Sequence, residues 1–173
     1  MISFSDTVVQ LTKRTMNYIR EHEAELGPRT IVIQVEKMDD FLSAAKREGS
    51  EFTWLSDESK ERGGQGKGAS PLSYFLSAMG FCQFVHYAEH CIMDGTKLRA
   101  LEMKIAGKIA MQRPRRFTEI TYEVRIQSDE KDETIISLAR KAAEDCYVTN
   151  TLKLACNVKG IIIHNGSKVD EHR

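Results

Sequence analysis

A chain of 173 residues can bury a real core and corresponds to one ordinary domain, or to one domain with an appendage. Its 25 lysines and arginines balance its 25 aspartates and glutamates, so the formal charge is zero and there is no electrostatic footprint for nucleic acid or an anionic membrane. No N-terminal stretch has the basic, apolar and small-residue order of a signal peptide, and no run reaches the ~18 uncharged apolar residues of a membrane span, so the chain reads as cytoplasmic. In that reducing setting four cysteines point away from a structural disulfide framework and towards metal or redox chemistry.

Residues 1–28 form an N-terminal segment in which Phe4, Val8, Val9, Leu11, Met16, Tyr18 and Ile19 alternate with charges before Gly27-Pro28; this predicts a surface helix. The main domain, 29–173, opens with "RTIVIQVEK", whose β-branched residues alternate with polar ones as in a half-buried strand. "FLSAAKRE" reads as a short helix or a connection, and "SEFTWLSD" as a second strand before a mobile glycine-rich loop from Ser56 to Ser70. Two alternating stretches, "KLRALEMKIAGKIAMQ" and "FTEITYEVRIQS", flank an Arg-Pro turn and predict an antiparallel hairpin with a bulge at Gly107. "DETIISLARKAAEDC" gathers Ile135, Ile136, Leu138, Ala139, Ala142 and Ala143 on roughly one helical face. A helical turn and a last strand follow, ending at Asn165-Gly166 with a polar tail behind.

Between the loop and the hairpin lies "GGQGKGASPLSYFLSAMGFC". Ser70-Pro71 is an N-cap followed by proline at the first helical position, where the missing N–H is not needed. The helix it opens runs to about Met93, with Asp94-Gly95 as its stop, and at ~1.5 Å per residue it is roughly 35 Å long. Leu72, Phe75, Leu76, Met79, Phe81, Phe84 and Val85 spread around its circumference, which predicts a central helix buried on most sides.

Cys82 sits in the middle of that helix, and its residue type has two readings: a small buried hydrophobe, or a reactive thiol. His86 lies one turn on, on the same face, where a protonated imidazole would favour a thiolate. Cys82, His86 and His90, with Glu89 and Cys91 close by, can also be drawn as a metal site, although neither CxxC nor HExxH is present. "GGQGKG" lacks the GxxxxGK[ST] pattern of a phosphate loop.

Taken together, the glycine-rich loop, the Ser-Pro helix start leading to Cys82 and the distant "AEDCYVTNTLK" resemble the OsmC/Ohr family of thiol peroxidases. Gly66 to Cys82 corresponds to the family's first motif and Cys146 to Leu152 to its second; the likeness spans roughly Arg29 to Asn165. The resemblance implies an α+β fold, with antiparallel sheets packed around the long helix that carries Cys82, in an intertwined homodimer with sites at the subunit interface. It further implies a peroxidase of the oxidative stress response that uses no metal or other cofactor. Cys82 would attack an organic hydroperoxide, or hydrogen peroxide, to give a sulfenic acid. Cys146 would close a disulfide with it, and a dithiol reductant would reopen the pair.

A thiolate in apolar surroundings needs a compensating cation, which the family supplies as an arginine from the N-terminal strand region. Arg29, Arg47 and Arg62 are the candidates here, with His86 as a local substitute. Leu72, Tyr74, Phe75, Met79, Phe81 and Tyr147 are candidates for a substrate pocket. The sequence departs from the family at Leu72, where many organic hydroperoxide reductases carry glutamate, and at Tyr147, where proline is usual. Cys91 and Cys156 fall outside the motifs and read as packing, with Cys156 a possible alternative resolving thiol. Two other readings accompany the enzyme: a dimeric module of the same fold that binds a small ligand or senses redox state, and a structural zinc protein.

Overall fold

The structure, a computed structural model, describes residues 1–172. Among the described residues, seven strands and four α-helices fall into two compact units, Met1–Glu23 with Leu76–Arg173 and Ala24–Phe75. The mixed α+β class is the one the sequence predicts.

In the larger unit, α1 (Asp6–His22) is the expected surface helix. Ser5 caps it, its side chain accepting the Val8 N–H at 3.4 Å, and none of its residues is buried. The predicted hairpin is β4 (Leu98–Ala110) and β5 (Arg116–Ser128), paired antiparallel. The irregularity expected at Gly107 lies one residue on: Gly107 pairs regularly with Ile120, whereas Lys108 pairs with Glu119 and Ile109 with Phe117, leaving Thr118 as the extra residue. Glycine is needed at 107 for space, because a Cβ there would overlap the Phe117 ring.

From β5 the chain passes through α3 (Asp132–Asp145) and α4 (Tyr147–Lys153) to β6 (Asn157–His164). β6 lies parallel to β5, so this sheet is mixed rather than wholly antiparallel; a parallel return needs a crossover of a dozen or more residues, and the two helices supply it. The polar tail behind Asn165-Gly166 forms β7 (Ser167–His172), antiparallel to β6. Asn165 and Gly166 make its two-residue turn with φ of 48° and 86°, the left-handed pair that such hairpins require. A sheet edge gave this polar segment backbone partners that its weak apolar pattern could not announce.

The long helix, α2, spans Pro71–Asp94 as predicted. Met79, Gly80, Gln83, Tyr87, Cys91 and Ile92 are its buried residues, and Met79, Tyr87 and Cys91 join Ile120, Tyr122, Val124 and Ile126 of β5 and Ile135, Leu138, Ala139 and Ala142 of α3 in one core. Gly80 permits close approach, since a Cβ would sit 3.0 Å from Ile105 Cδ1. The expectation of a helix buried on most sides is corrected: Phe81 and Val85 are 66% and 55% exposed, so one apolar flank of α2 is open in the single chain.

In the smaller unit, β1 (Ile33–Asp39), β2 (Leu42–Arg47) and β3 (Thr53–Ser56) form an antiparallel sheet in that order. "FLSAAKRE" is therefore a strand rather than a short helix, because pairing with a strand on each side overrides the helix-favouring alanines and lysine. β1 is exposed at every position rather than half-buried. Ser70 caps α2 as predicted, its hydroxyl accepting the Ser73 N–H at 3.3 Å, and the Tyr74 hydroxyl donates to the Leu55 carbonyl at 2.6 Å.

The loop expected to be mobile is organised around Asp57, which is 1% exposed and accepts the N–H groups of Glu58, Gln65 and Lys67 at 2.8, 2.9 and 3.1 Å. Burial alone would raise its pKa, but backbone donors from Lys67, Glu58, Gln65 and Gly66 together outweigh that and hold it below the ordinary carboxylate value. The glycines explain how the chain wraps so tightly, since a Cβ at Gly64 would overlap the Glu58 carbonyl and one at Gly68 the Leu55 carbonyl.

Candidate functional site

Cys146 ends α3 and begins α4 at one point, with φ −73° and ψ 107°, the extended geometry of an N-cap. Its sulfur accepts the Thr149 N–H at 3.4 Å, the position three residues on that an N-cap side chain serves. The thiol is completely buried and lies within hydrogen-bonding reach of Cys82 on α2, which is half-buried. Two cysteines far apart in sequence are thus neighbours, both as free thiols.

Burial above all pushes the Cys146 thiol up from its ordinary value. The Thr149 hydroxyl and N–H donate to the sulfur and pull the other way, while Cys82 adds to the rise. The net effect favours the protonated form of Cys146.

Behind the two thiols runs a buried polar relay that sequence reading missed. Gln83 Nε2 donates to Thr149 Oγ1 at 3.0 Å, and both residues are fully buried. Gln83 also hydrogen-bonds Tyr122, whose phenol burial pushes up to about 12. Gln83 follows Cys82 directly, so the helix that presents the thiol also braces the cap that holds its partner. A signal was available: Met79, Gln83 and Tyr87 fall one turn apart on a single face, and a glutamine in that apolar row must find hydrogen bonds. A second brace acts on Asp145, the residue before Cys146, whose Oδ2 lies 2.8 Å from His90 Nε2.

His86 is paired with a carboxylate on its own helix. Its Nδ1 lies 2.8 Å from Glu89 Oε2, so the proton on that nitrogen is donated to the carboxylate. The ring stands 6.1 Å from the Tyr147 ring, centroid to centroid, and so flanks the second cysteine motif. With His86 and His90 each beside a carboxylate, no group of three or more His, Cys, Asp or Glu among the described residues is placed to hold a metal ion.

The arginine candidates belong to the smaller unit. Arg29 is exposed ahead of β1, Arg47 is exposed at the end of β2, and Arg62 sits in a short helical turn with Nε 3.3 Å from Glu58 Oε2. Of the pocket candidates, Met79 is wholly buried in the core, Tyr74 is half-buried, and Leu72, Phe75, Phe81 and Tyr147 are exposed. Cys91 is buried, and the Cys156 sulfur is bound to the Leu152 carbonyl at 3.7 Å.

The family model described as OsmC-like protein matches residues 64–160, more than half of the chain, and takes in both cysteine motifs. No curated protein sequence matches. Among solved structures, an OsmC-like protein from Mycoplasma pneumoniae aligns with a TM-score of 0.68 at 19% identity, covering 80% of this chain and 100% of that one. An organic hydroperoxide resistance protein OsmC from Legionella pneumophila aligns at 0.62 and 14% identity, covering 80% and 99%. An organic hydroperoxide resistance protein from Elizabethkingia anophelis, with crystallant-derived thiocyanate bound, aligns at 0.63 and 16% identity, covering 80% and 99%. At such identities these likenesses carry the fold alone.

Proposed function

The chain belongs to the OsmC-like protein family, and from that premise we propose that it is a cysteine-based peroxidase reducing organic hydroperoxides, in defence against oxidative stress. The observation that carries this reading is the buried Cys146 thiol held beside Cys82, two cysteines far apart in sequence brought together. Cys82 is the attacking thiolate. Its sulfur takes the terminal oxygen of ROOH, the O–O bond breaks, and the alkoxide leaves as ROH after protonation. Cys146 then attacks the Cys82 sulfenic sulfur; its own proton leaves with the hydroxyl as water, and a disulfide forms. A dithiol reductant transfers two electrons to reopen it, which suits a reducing cytoplasm. No step calls for a metal or an organic cofactor.

The reading extends to a homodimer. A single chain leaves Phe81 and Val85 of α2 on display, and separately Val35, Phe41 and Phe52 of the smaller unit are 68%, 54% and 71% exposed. Apolar surface of this kind marks an interface. Phe81 and Tyr147 are exposed groups of the larger unit that would contact substrate once a partner covers them; in the smaller unit Leu72 and Phe75 are exposed apolar candidates for substrate contact, and Arg29, Arg47 and Arg62 are the candidate cations.

The test is thiol consumption by the fully reduced protein with cumene hydroperoxide and with hydrogen peroxide, followed by mapping of the disulfide. Rapid loss of two thiols with a Cys82–Cys146 bond, abolished in Cys82→Ser and halted at a sulfenic acid in Cys146→Ser, is the expected result. Reaction at Cys82 no faster than at a free cysteine would sink the peroxidase and leave a ligand-binding or redox-sensing member of the same fold.

A further inference from the structure

Cys82, His86 and His90 follow one another at one-turn intervals along a single face of α2, and each meets one of three consecutive residues at the joint between α3 and α4. Cys82 lies beside Cys146, the His86 ring stands 6.1 Å from the Tyr147 ring, and His90 Nε2 lies 2.8 Å from Asp145 Oδ2. We propose that His90 and Asp145 are positioning residues for disulfide closure: their hydrogen bond clamps the joint to α2 and keeps Cys146 in reach of Cys82. The inference rests on the two-cysteine reading above and names residues that set how readily its disulfide forms.

Local helix chemistry does not account for Asp145. It is the last residue of α3, where the macrodipole disfavours a carboxylate and favours a cation. What offsets that is a donor from another element. The carboxylate can only accept, so His90 Nε2 carries the proton of this bond. The His90 side chain is 14% exposed and that of Asp145 49%, so the bond is sheltered on the α2 side. His86 also meets a carboxylate, but Glu89 belongs to α2 itself; of the two histidines, His90 is the one whose carboxylate lies on another helix.

The joint is built to transmit the clamp. Asn150 Nδ2 donates to the Glu144 carbonyl at 2.6 Å and the Thr149 N–H donates to the Cys146 sulfur at 3.4 Å, so residues 144–150 form a braced elbow with Cys146 at its bend. Pinning Asp145 therefore pins the next residue. A disulfide needs Cα atoms within ~7 Å of each other and Cβ vectors that converge, so a joint that swings away from α2 takes Cys146 out of range. In the oxidised chain the covalent bond holds the joint by itself. The clamp matters in the reduced chain, where it raises the effective concentration of one thiol at the other. Gln83 holds the α4 side of the bend through Thr149, and His90 holds the α3 side through Asp145.

The experiment equilibrates the full chain with reduced and oxidised glutathione over a range of ratios, quenches with acid, and quantifies the Cys82–Cys146 disulfide by peptide mapping. His90→Leu and Asp145→Ala should each lower the equilibrium constant for closure about tenfold, which is about 30 mV towards easier reduction. His90→Gln keeps a donor near the Nε2 position and Asp145→Asn keeps an acceptor, so both should recover most of that loss. The double variant His90→Leu/Asp145→Ala should be no worse than either single one, because both remove the same bond. A parent-like constant in Asp145→Ala, losses as large in the Gln and Asn variants as in the Leu and Ala ones, or a double variant whose loss is the sum of the singles would each overturn the clamp. Asp145 is half exposed, so its variants decide the matter where His90→Leu fails to fold. Glutathione makes the bond without peroxide: a parent that closes it here and consumes no hydroperoxide would sink the peroxidase and leave the clamp standing, whereas a parent that closes no such bond at any ratio overturns the clamp.

Discussion

Gln83 and Thr149, one beside each cysteine of the candidate site, share a fully buried hydrogen bond of 3.0 Å that ties α2 to the cap of α4. The bond gives the Cys82–Cys146 pair a fixed geometry, because Thr149 in turn donates to the Cys146 sulfur. Disulfide closure tolerates little misplacement, so in the proposed reaction this brace would hold the two sulfurs in place for it.

Replacing that glutamine therefore tests positioning. Gln83→Leu leaves Thr149 Oγ1 without its donor in a dry environment, at a cost of about 1 kcal/mol after allowing for removal of the unpartnered Oε1. The rate of Cys82–Cys146 closure after oxidation should fall on the order of tenfold. Loss of Cys82 oxidation itself should be small. Rapid-quench mapping of sulfenic acid against disulfide separates the two, and equal slowing of both steps would argue against a positioning role.

A second prediction concerns Tyr122. A Cβ at Gly160 would overlap the Tyr122 ring, which is 3% exposed and hydrogen-bonded to Gln83. Gly160→Ala should displace that ring and cost about 1–3 kcal/mol of overpacking. The expected fall in Tm is roughly 3–10 °C. An unchanged Tm would mean that the ring has room to move.

The Asp57 carboxylate gives a pH dependence with a definite sign. Its folded pKa lies below the ordinary aspartate value, so the folded state binds the proton less readily than the unfolded chain. The stabilisation is fully present above the unfolded value and is lost as pH falls through the lowered folded value. Asp57→Asn should accordingly lower the urea midpoint at pH 7 and have much less effect at pH 2. Hydrogen exchange at the Gln65 and Lys67 amides, fast in the variant and slow in the parent at pH 7, provides the local check. A variant with unchanged exchange would show the loop to be held by other means.

Phe81 tests the assembly. If the open flank of α2 is an interface, Phe81→Asp places a charge where a well-packed aromatic belongs, and the dimer Kd should rise at least tenfold. Sedimentation velocity across a concentration series measures it. A parent protein that remains monomeric at high concentration would remove the interface reading without touching the core, since Phe81 is not part of it.

Much of the fold is readable where local chemistry and burial agree. Ser70-Pro71 caps α2 where the sequence places it, and the β4–β5 hairpin and α3 follow their apolar periods because each buries the face that its pattern marks. Both cysteines of the site could be named because they fall in two motifs with distinctive neighbours. Reading failed where partners decided the state. "FLSAAKRE" is a strand because two strands flank it, and the tail is a strand because the β6 edge accepts it. The hydrogen bond of His86 to Glu89 is a contact that the spacing of His86 from Cys82 does not reveal.

The sequence by itself determined the element order, the capped helix that presents Cys82, and the membership of two separated cysteines in one family pattern, since these rest on local backbone preference and short motifs. Tertiary structure alone decided which groups surround the sulfurs. The Gln83–Thr149–Cys146 relay, the approach of Cys146 to Cys82 and the Asp57 anchor of the glycine loop all join residues distant along the chain. Hydrogen bonding and desolvation depend on distance in space, and sequence spacing does not encode that distance beyond a helical turn or a hairpin.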